Sequence, residues 1–240
     1  MIASPIDPLP IASLASGRHL CYFDGEAGWS GVWWDPVAVF RSKDGRGSLS
    51  WSDGRDESAD GDPFALLAAL LRTYPLLTAC GYWGYDLRYG LERLPRRALD
   101  DLGLPDCWIG LYSDNSAGPL APSVTRAHPG PAARTPTPHG ELQDSLPRPE
   151  YQRAVRRVLE YIAAGDCYQV NLSRRITAPL AGSPWELYRR LRHVSPAPYS
   201  AFLDCGDHQV LSSSPELFLR VEGRDVETRP IKGTRPRGGS

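Results

Sequence analysis

The 240-residue sequence contains no apolar run long enough to cross a bilayer; the longest, around Phe64 to Leu71, falls far short of the roughly 18 residues a span needs. An excess of charge of one sign is also missing. Twenty-seven basic residues against 28 acidic ones give a net charge of -1, so the chain lacks the broad basic field of a nucleic-acid binder. Five cysteines (Cys21, Cys80, Cys107, Cys167, Cys205) stand singly, with no C-x-x-C pair and no matching histidine spacing. That pattern argues for reduced thiols in a cytoplasmic protein, against a disulfide framework and against a structural zinc site. The opening Met1-Ile2-Ala3-Ser4-Pro5 has no basic region followed by an apolar core, so no secretory signal is expected. Neither a G-x-S-x-G elbow nor a Walker phosphate loop occurs. Gly81-Tyr82-Trp83-Gly84-Tyr85 is not a dinucleotide fingerprint either; it reads as a strand packed on a core, or as the wall of a small-molecule pocket.

Glycine and proline are plentiful, at 23 each, and predict many turns. Seven prolines fall between Ser113 and Pro149 among few large apolar residues, which marks residues 113–149 as an extended linker or long surface loop. Before it, Trp29, Val32, Trp33, Val37, Val39 and Phe40 predict strands, with turns at Asp44-Gly45 and Asp53-Gly54. A helix is expected to start at Asp62, whose carboxylate can cap free amides while Pro63 fits the first turn. Its body, Phe64 to Tyr74, is so apolar that it predicts a buried helix. After the linker, Tyr151, Ala154, Val155, Val158, Leu159 and Ile162 recur at helical spacing and Gly165 supplies a stop. Tyr168 to Ile176 alternates apolar and polar residues, which predicts a strand with Gln169, Asn171 and Ser173 on its polar face. Ser183-Pro184-Trp185-Glu186 opens a further helix with a capping box, to about His193. Strands are expected over residues 199–204, 208–212, 216–222 and 225–230, joined as antiparallel hairpins at Gly206 and Gly223.

The richest chemistry lies in Thr228-Arg229-Pro230-Ile231-Lys232-Gly233-Thr234-Arg235-Pro236-Arg237. Neighbouring arginines destabilise an ammonium, so Lys232 can serve as a neutral nucleophilic amine, and the arginines can hold carboxylates. The same run reads equally as a solvated basic loop. Glu216, after Ser212-Ser213-Ser214-Pro215, is a candidate general acid or an ordinary exposed strand residue. A hairpin over this segment would bring Glu216 and Lys232 near each other.

GDCYQVNLS at 165–173, PYSAFL at 198–203, SSSPELF at 212–218 and TRPIKGTRPRG at 228–238 occur in an order that resembles the chorismate-utilising enzymes, anthranilate synthase component I and aminodeoxychorismate synthase component I. The resemblance is strong from Tyr151 to Gly238 and weaker over Gly81–Tyr112. It implies an α+β fold of large antiparallel sheets flanked by helices. Residues 1–112 would form the amino-terminal region and 150–240 the start of the chorismate-binding catalytic domain. Gln169, where water-adding members carry a lysine base, implies addition of ammonia. Lys232, where anthranilate synthases usually carry alanine, implies the aminodeoxychorismate branch and a covalent nucleophile, with Glu216 as acid and Thr234 and Arg235 as substrate contacts.

The resemblance further implies magnesium, held by carboxylates outside this chain, and a glutamine amidotransferase subunit supplying ammonia. It implies no nucleic acid and no membrane partner. Asp24, Pro198, Tyr199 and Ser200 fall where the family forms a tryptophan site, although Asp24 would repel that ligand's carboxylate. Anthranilate synthase component I and a non-catalytic amino-acid-binding or assembly module are the competing readings. Because the resemblance spans about half of a family member, the isolated chain is expected to be inactive and marginally folded, with open strand edges.

Overall fold

The structure is a computed structural model that describes residues 19–25, 30–114, 117–119 and 141–232. The chain divides into two compact units, Met1–Gly130 with Tyr188–Ser240, and Pro131–Leu187. The first is built on two antiparallel five-stranded sheets. One sheet takes the order β5-β4-β3-β7-β6, from β3 (Ala38–Lys43), β4 (Arg46–Trp51), β5 (Asp56–Asp60), β6 (Thr78–Trp83) and β7 (Cys107–Tyr112). The other runs β12-β11-β1-β2-β8, from β1 (Cys21–Gly25), β2 (Gly31–Trp33), β8 (Ala117–Pro119), β11 (Tyr199–Asp204) and β12 (Gln209–Ser214). A separate hairpin pairs β13 (Leu217–Glu222) with β14 (Asp225–Arg229).

Alternation along the strands sorts the core. In the β3–β7 pair, Ala38, Phe40, Ile109 and Leu111 face one way and pack with Leu67 of α1 (Pro63–Thr73). Val39 and Trp108 face the other way and share a core with Cys21, Cys80, Leu203 and Cys205. The β3–β4 turn forms where expected: Asp44 and Gly45 both take positive φ, 51° and 77°, the conformation a two-residue hairpin turn with right-handed twist demands.

The Asp62 carboxylate accepts the Phe64 N–H at 3.1 Å, capping α1 as expected. Only Pro63 and Leu67 of that helix are buried, however, and Phe64 turns outward to stack on Trp83 at 4.5 Å. The expected full burial therefore fails. A helix laid on one face of a sheet hides one stripe, whatever the hydropathy of the rest.

After the short α2 (Arg88–Leu91) of the first unit, α3 (Arg148–Ala164) in the second unit ends at Gly165 with φ 83°, as its periodicity predicts, yet none of its residues is buried. The strand expected over 168–176 reduces to β10 (Ile176–Thr177), paired with β9 (Gln143–Asp144). Tyr168 is 91% exposed. Alternation encodes two-sidedness, but a strand needs a ladder partner, and residues 168–174 have none among the described residues, while the Arg175 carbonyl accepts the Ser145 N–H at 2.9 Å beside β9. The helix α4 (Pro184–Val194) starts where expected, with Ser183 Oγ accepting the Trp185 N–H at 3.2 Å. Among the described residues, no helix is long and apolar enough to cross a membrane.

Candidate active site

Pro215 and Glu216 separate β12, which ends at Ser214, from β13. The Ser214 hydroxyl accepts the Glu216 N–H at 3.3 Å and lies 3.2 Å from the Glu216 carbonyl oxygen, fixing a tight local turn. From there β13 runs to a turn in which Gly223 supplies a φ of 60°, and β14 returns. Leu217 lies opposite Arg229 in that register. Glu216 directly precedes Leu217 and Lys232 follows Arg229 by three residues, so both occupy the open end of the hairpin. Glu216 is half-buried, Lys232 is exposed, and among the described residues no ion pair joins them. Within the hairpin, Arg220 pairs with Glu222 at 2.9 Å and Arg229 with Glu227 at 2.5 Å. Thr234 and Arg235 lie outside the described residues. Gln169 is described and exposed, within the second unit.

Asp24, Pro198, Tyr199 and Ser200 do come together. The β1–β11 register sets Asp24 opposite Ser200 and Gly25 opposite Tyr199, and the Ser200 hydroxyl donates to the Ala197 carbonyl at 3.1 Å. Asp24 is only 4% exposed and pairs with the Arg192 guanidinium of α4. Burial pushes its carboxyl above the ordinary aspartate range, against the pull of Arg192. Tyr22 and Tyr188 meet edge-to-face beside it at 5.9 Å. Arg192 thus neutralises the charge that was expected to repel a ligand carboxylate. Sequence reasoning missed Arg192 because nothing local links the last turn of a helix to a strand so far back in the chain.

A second unread network ties the β11–β12 turn to the other sheet. Tyr82 Oη lies 3.0 Å from His208 Nε2 and donates to the Pro105 carbonyl at 3.2 Å; His208 Nδ1 contacts Asp207 at 2.7 Å; Arg41 bonds Asp207 at 2.9 Å and the Cys205 carbonyl at 3.0 Å. Burial holds the Tyr82 phenol well above its usual range, so this is a clamp and not an activated nucleophile. Among the described residues, no three His, Cys, Asp or Glu side chains converge as a cation site.

The family model for chorismate binding enzymes matches residues 17–240. The chain belongs to that family. It is 38% identical over 176 residues to aminodeoxychorismate synthase component 1 of Klebsiella aerogenes, and 41% identical over 182 residues to anthranilate synthase component 1 of Thermus thermophilus. Each match takes in 66% of this chain and 39% of the relative, so the chain spans only part of the length of those proteins. Anthranilate synthase component I from Streptococcus pneumoniae shares its fold, with a TM-score of 0.61 at 18% identity, covering 93% of this chain and 54% of that one. The expected α+β architecture built on large antiparallel sheets is the one observed.

Proposed function

We propose that this chain is part of an aminodeoxychorismate synthase component I, which converts chorismate and ammonia to 4-amino-4-deoxychorismate. Neutral Lys232 attacks the chorismate ring, and Glu216 protonates the departing ring hydroxyl, which leaves as water. Ammonia then bonds to the carbon that lost the hydroxyl, and the lysine amine is expelled. Two displacements replace one difficult one, the usual gain of covalent catalysis. The observation that carries this reading is the β13–β14 register, whose Leu217–Arg229 pair leaves Glu216 and Lys232 at the same open end of the hairpin. Gln169, Thr234 and Arg235 are assigned to substrate binding on the motif resemblance.

Ammonia comes from a glutamine amidotransferase subunit. Magnesium belongs to the same reading, but with no converging carboxylate set among the described residues, no step is routed through it. In the intact protein, incubation with chorismate is expected to add the mass of chorismate less one water to Lys232, and Lys232→Ala to abolish both adduct and ammonia-dependent product. Wild-type turnover in that variant overturns the nucleophile. Product identity separates the branches, because anthranilate instead of 4-amino-4-deoxychorismate places this member with the anthranilate synthases.

A further inference from the structure

Glu216 sits in a break between two ladders. The last pair of one is Ser214 with Tyr199, and the first pair of the other is Leu217 with Arg229. Inside a ladder a neighbouring strand holds each N–H and C=O, whereas a residue in a break needs another partner. Pro215 fixes its own φ but has no N–H to give. The Ser214 side chain closes the break. Its hydroxyl accepts the Glu216 N–H at 3.3 Å and donates to the Glu216 carbonyl at 3.2 Å, so one group, donor and acceptor at once, clasps both polar atoms of the Glu216 backbone. Ser213 leaves the opposite face of β12 and lies against Ser195, just past α4, donating to its carbonyl and standing 3.3 Å from its hydroxyl. The Ser195 N–H in turn donates to the Leu191 carbonyl at 2.8 Å. The strand end that carries the clasp is thus tied to the last turn of a helix.

We propose that Ser214 is a positioning residue for Glu216: its hydroxyl sets the direction in which the Glu216 carboxyl leaves the backbone, and so the line along which the proton reaches the departing oxygen. This rests on the reading of Glu216 as the proton donor and holds whichever product the enzyme makes. A general acid works only within hydrogen-bond reach of its target, and a misplacement of about one ångström can cost about a hundredfold in rate. Alanine at 214 leaves the β11–β12 ladder in place but frees the Glu216 peptide to turn.

The test is steady-state kinetics on the intact protein with chorismate and ammonium, counting either product. Ser214→Ala is expected to lower kcat about tenfold while KM for chorismate stays within about twofold of wild type. Its melting temperature shifts by only a few degrees, since one partly buried hydroxyl is lost. Ser214→Thr, which keeps a hydroxyl, recovers most of the rate. In Glu216→Gln, where there is no acid proton to deliver, adding Ser214→Ala lowers the residual rate by less than about twofold. A serine that merely supports the fold would cost the same factor in both backgrounds. Four kinetic results overturn the proposal: wild-type kcat in Ser214→Ala; a loss confined to KM; a threonine variant no better than alanine; or equal factors in the two backgrounds. Collapse of the fold in the alanine variant also overturns it, because the hydroxyl would then hold the sheet and not the carboxyl. Wild-type turnover in Glu216→Gln is a separate result that overturns the parent assignment of Glu216 itself.

Discussion

Cys21 and Cys205 are fully buried, and burial lifts Cys80 and Cys107 to about 12, so at neutral pH four of the five thiols are neither accessible nor ionised. Half-buried Cys167 is the exception. A thiol reagent at pH 8 is therefore expected to titrate one fast equivalent from the folded chain and the other four only in denaturant; two or more fast equivalents would contradict this packing. The Asp24–Arg192 pair gives a second residue-scale prediction. Folding raises the Asp24 pKa, so the folded state binds the proton more tightly, and this group's contribution to stability falls as pH rises above the ordinary value of 3.8. Removing the guanidinium by Arg192→Met leaves the buried carboxylate without its cation and is expected to cost about 3 kcal/mol at pH 7. The cost shrinks toward pH 4, where Asp24 takes up a proton. Urea melts at the two pH values measure it, and equal losses at both exclude the pair as the cause.

Caps and turns were legible at the scale of elements because their chemistry is local. Asp62 before α1, Ser183 before α4, Asp44-Gly45 and Gly165 each act within a few residues, and each stands where the sequence indicates. Replacing Asp62 by alanine is expected to cost about 1 kcal/mol, read from thermal unfolding. What the sequence could not convey is who pairs with whom. Alternation over 168–174 looked identical to that of a true strand, and only the absent ladder distinguishes it. Gly81 shows the reverse case, a long-range demand concentrated on one residue: a Cβ there would sit 1.9 Å from the Trp108 carbonyl oxygen. Gly81→Ala should force β6 from β7 and destabilise the unit by about 3 kcal/mol in urea unfolding, a cost without precedent in its local sequence.

For the whole molecule, the family and its fold were readable from motifs in the last third of the chain, whereas the Asp24–Arg192 pair and the Tyr82–His208–Asp207–Arg41 clamp were not, since each joins segments remote in sequence. Within the β5-β4-β3-β7-β6 sheet, the two outer strands differ sharply. Every residue of β5 is exposed, and Asp56, Glu57 and Asp60 crowd it with like charge. Such a margin repels any approaching chain. Its counterpart at β6 carries Thr78, Ala79, Cys80, Gly81, Tyr82 and Trp83, with no ionisable carboxylate or ammonium. The sheet is thus electrostatically sealed along one border and receptive along the other. Stray self-association through this one sheet stops at a pair, because two molecules meeting at β6 leave only its carboxylate-lined β5 border uncovered.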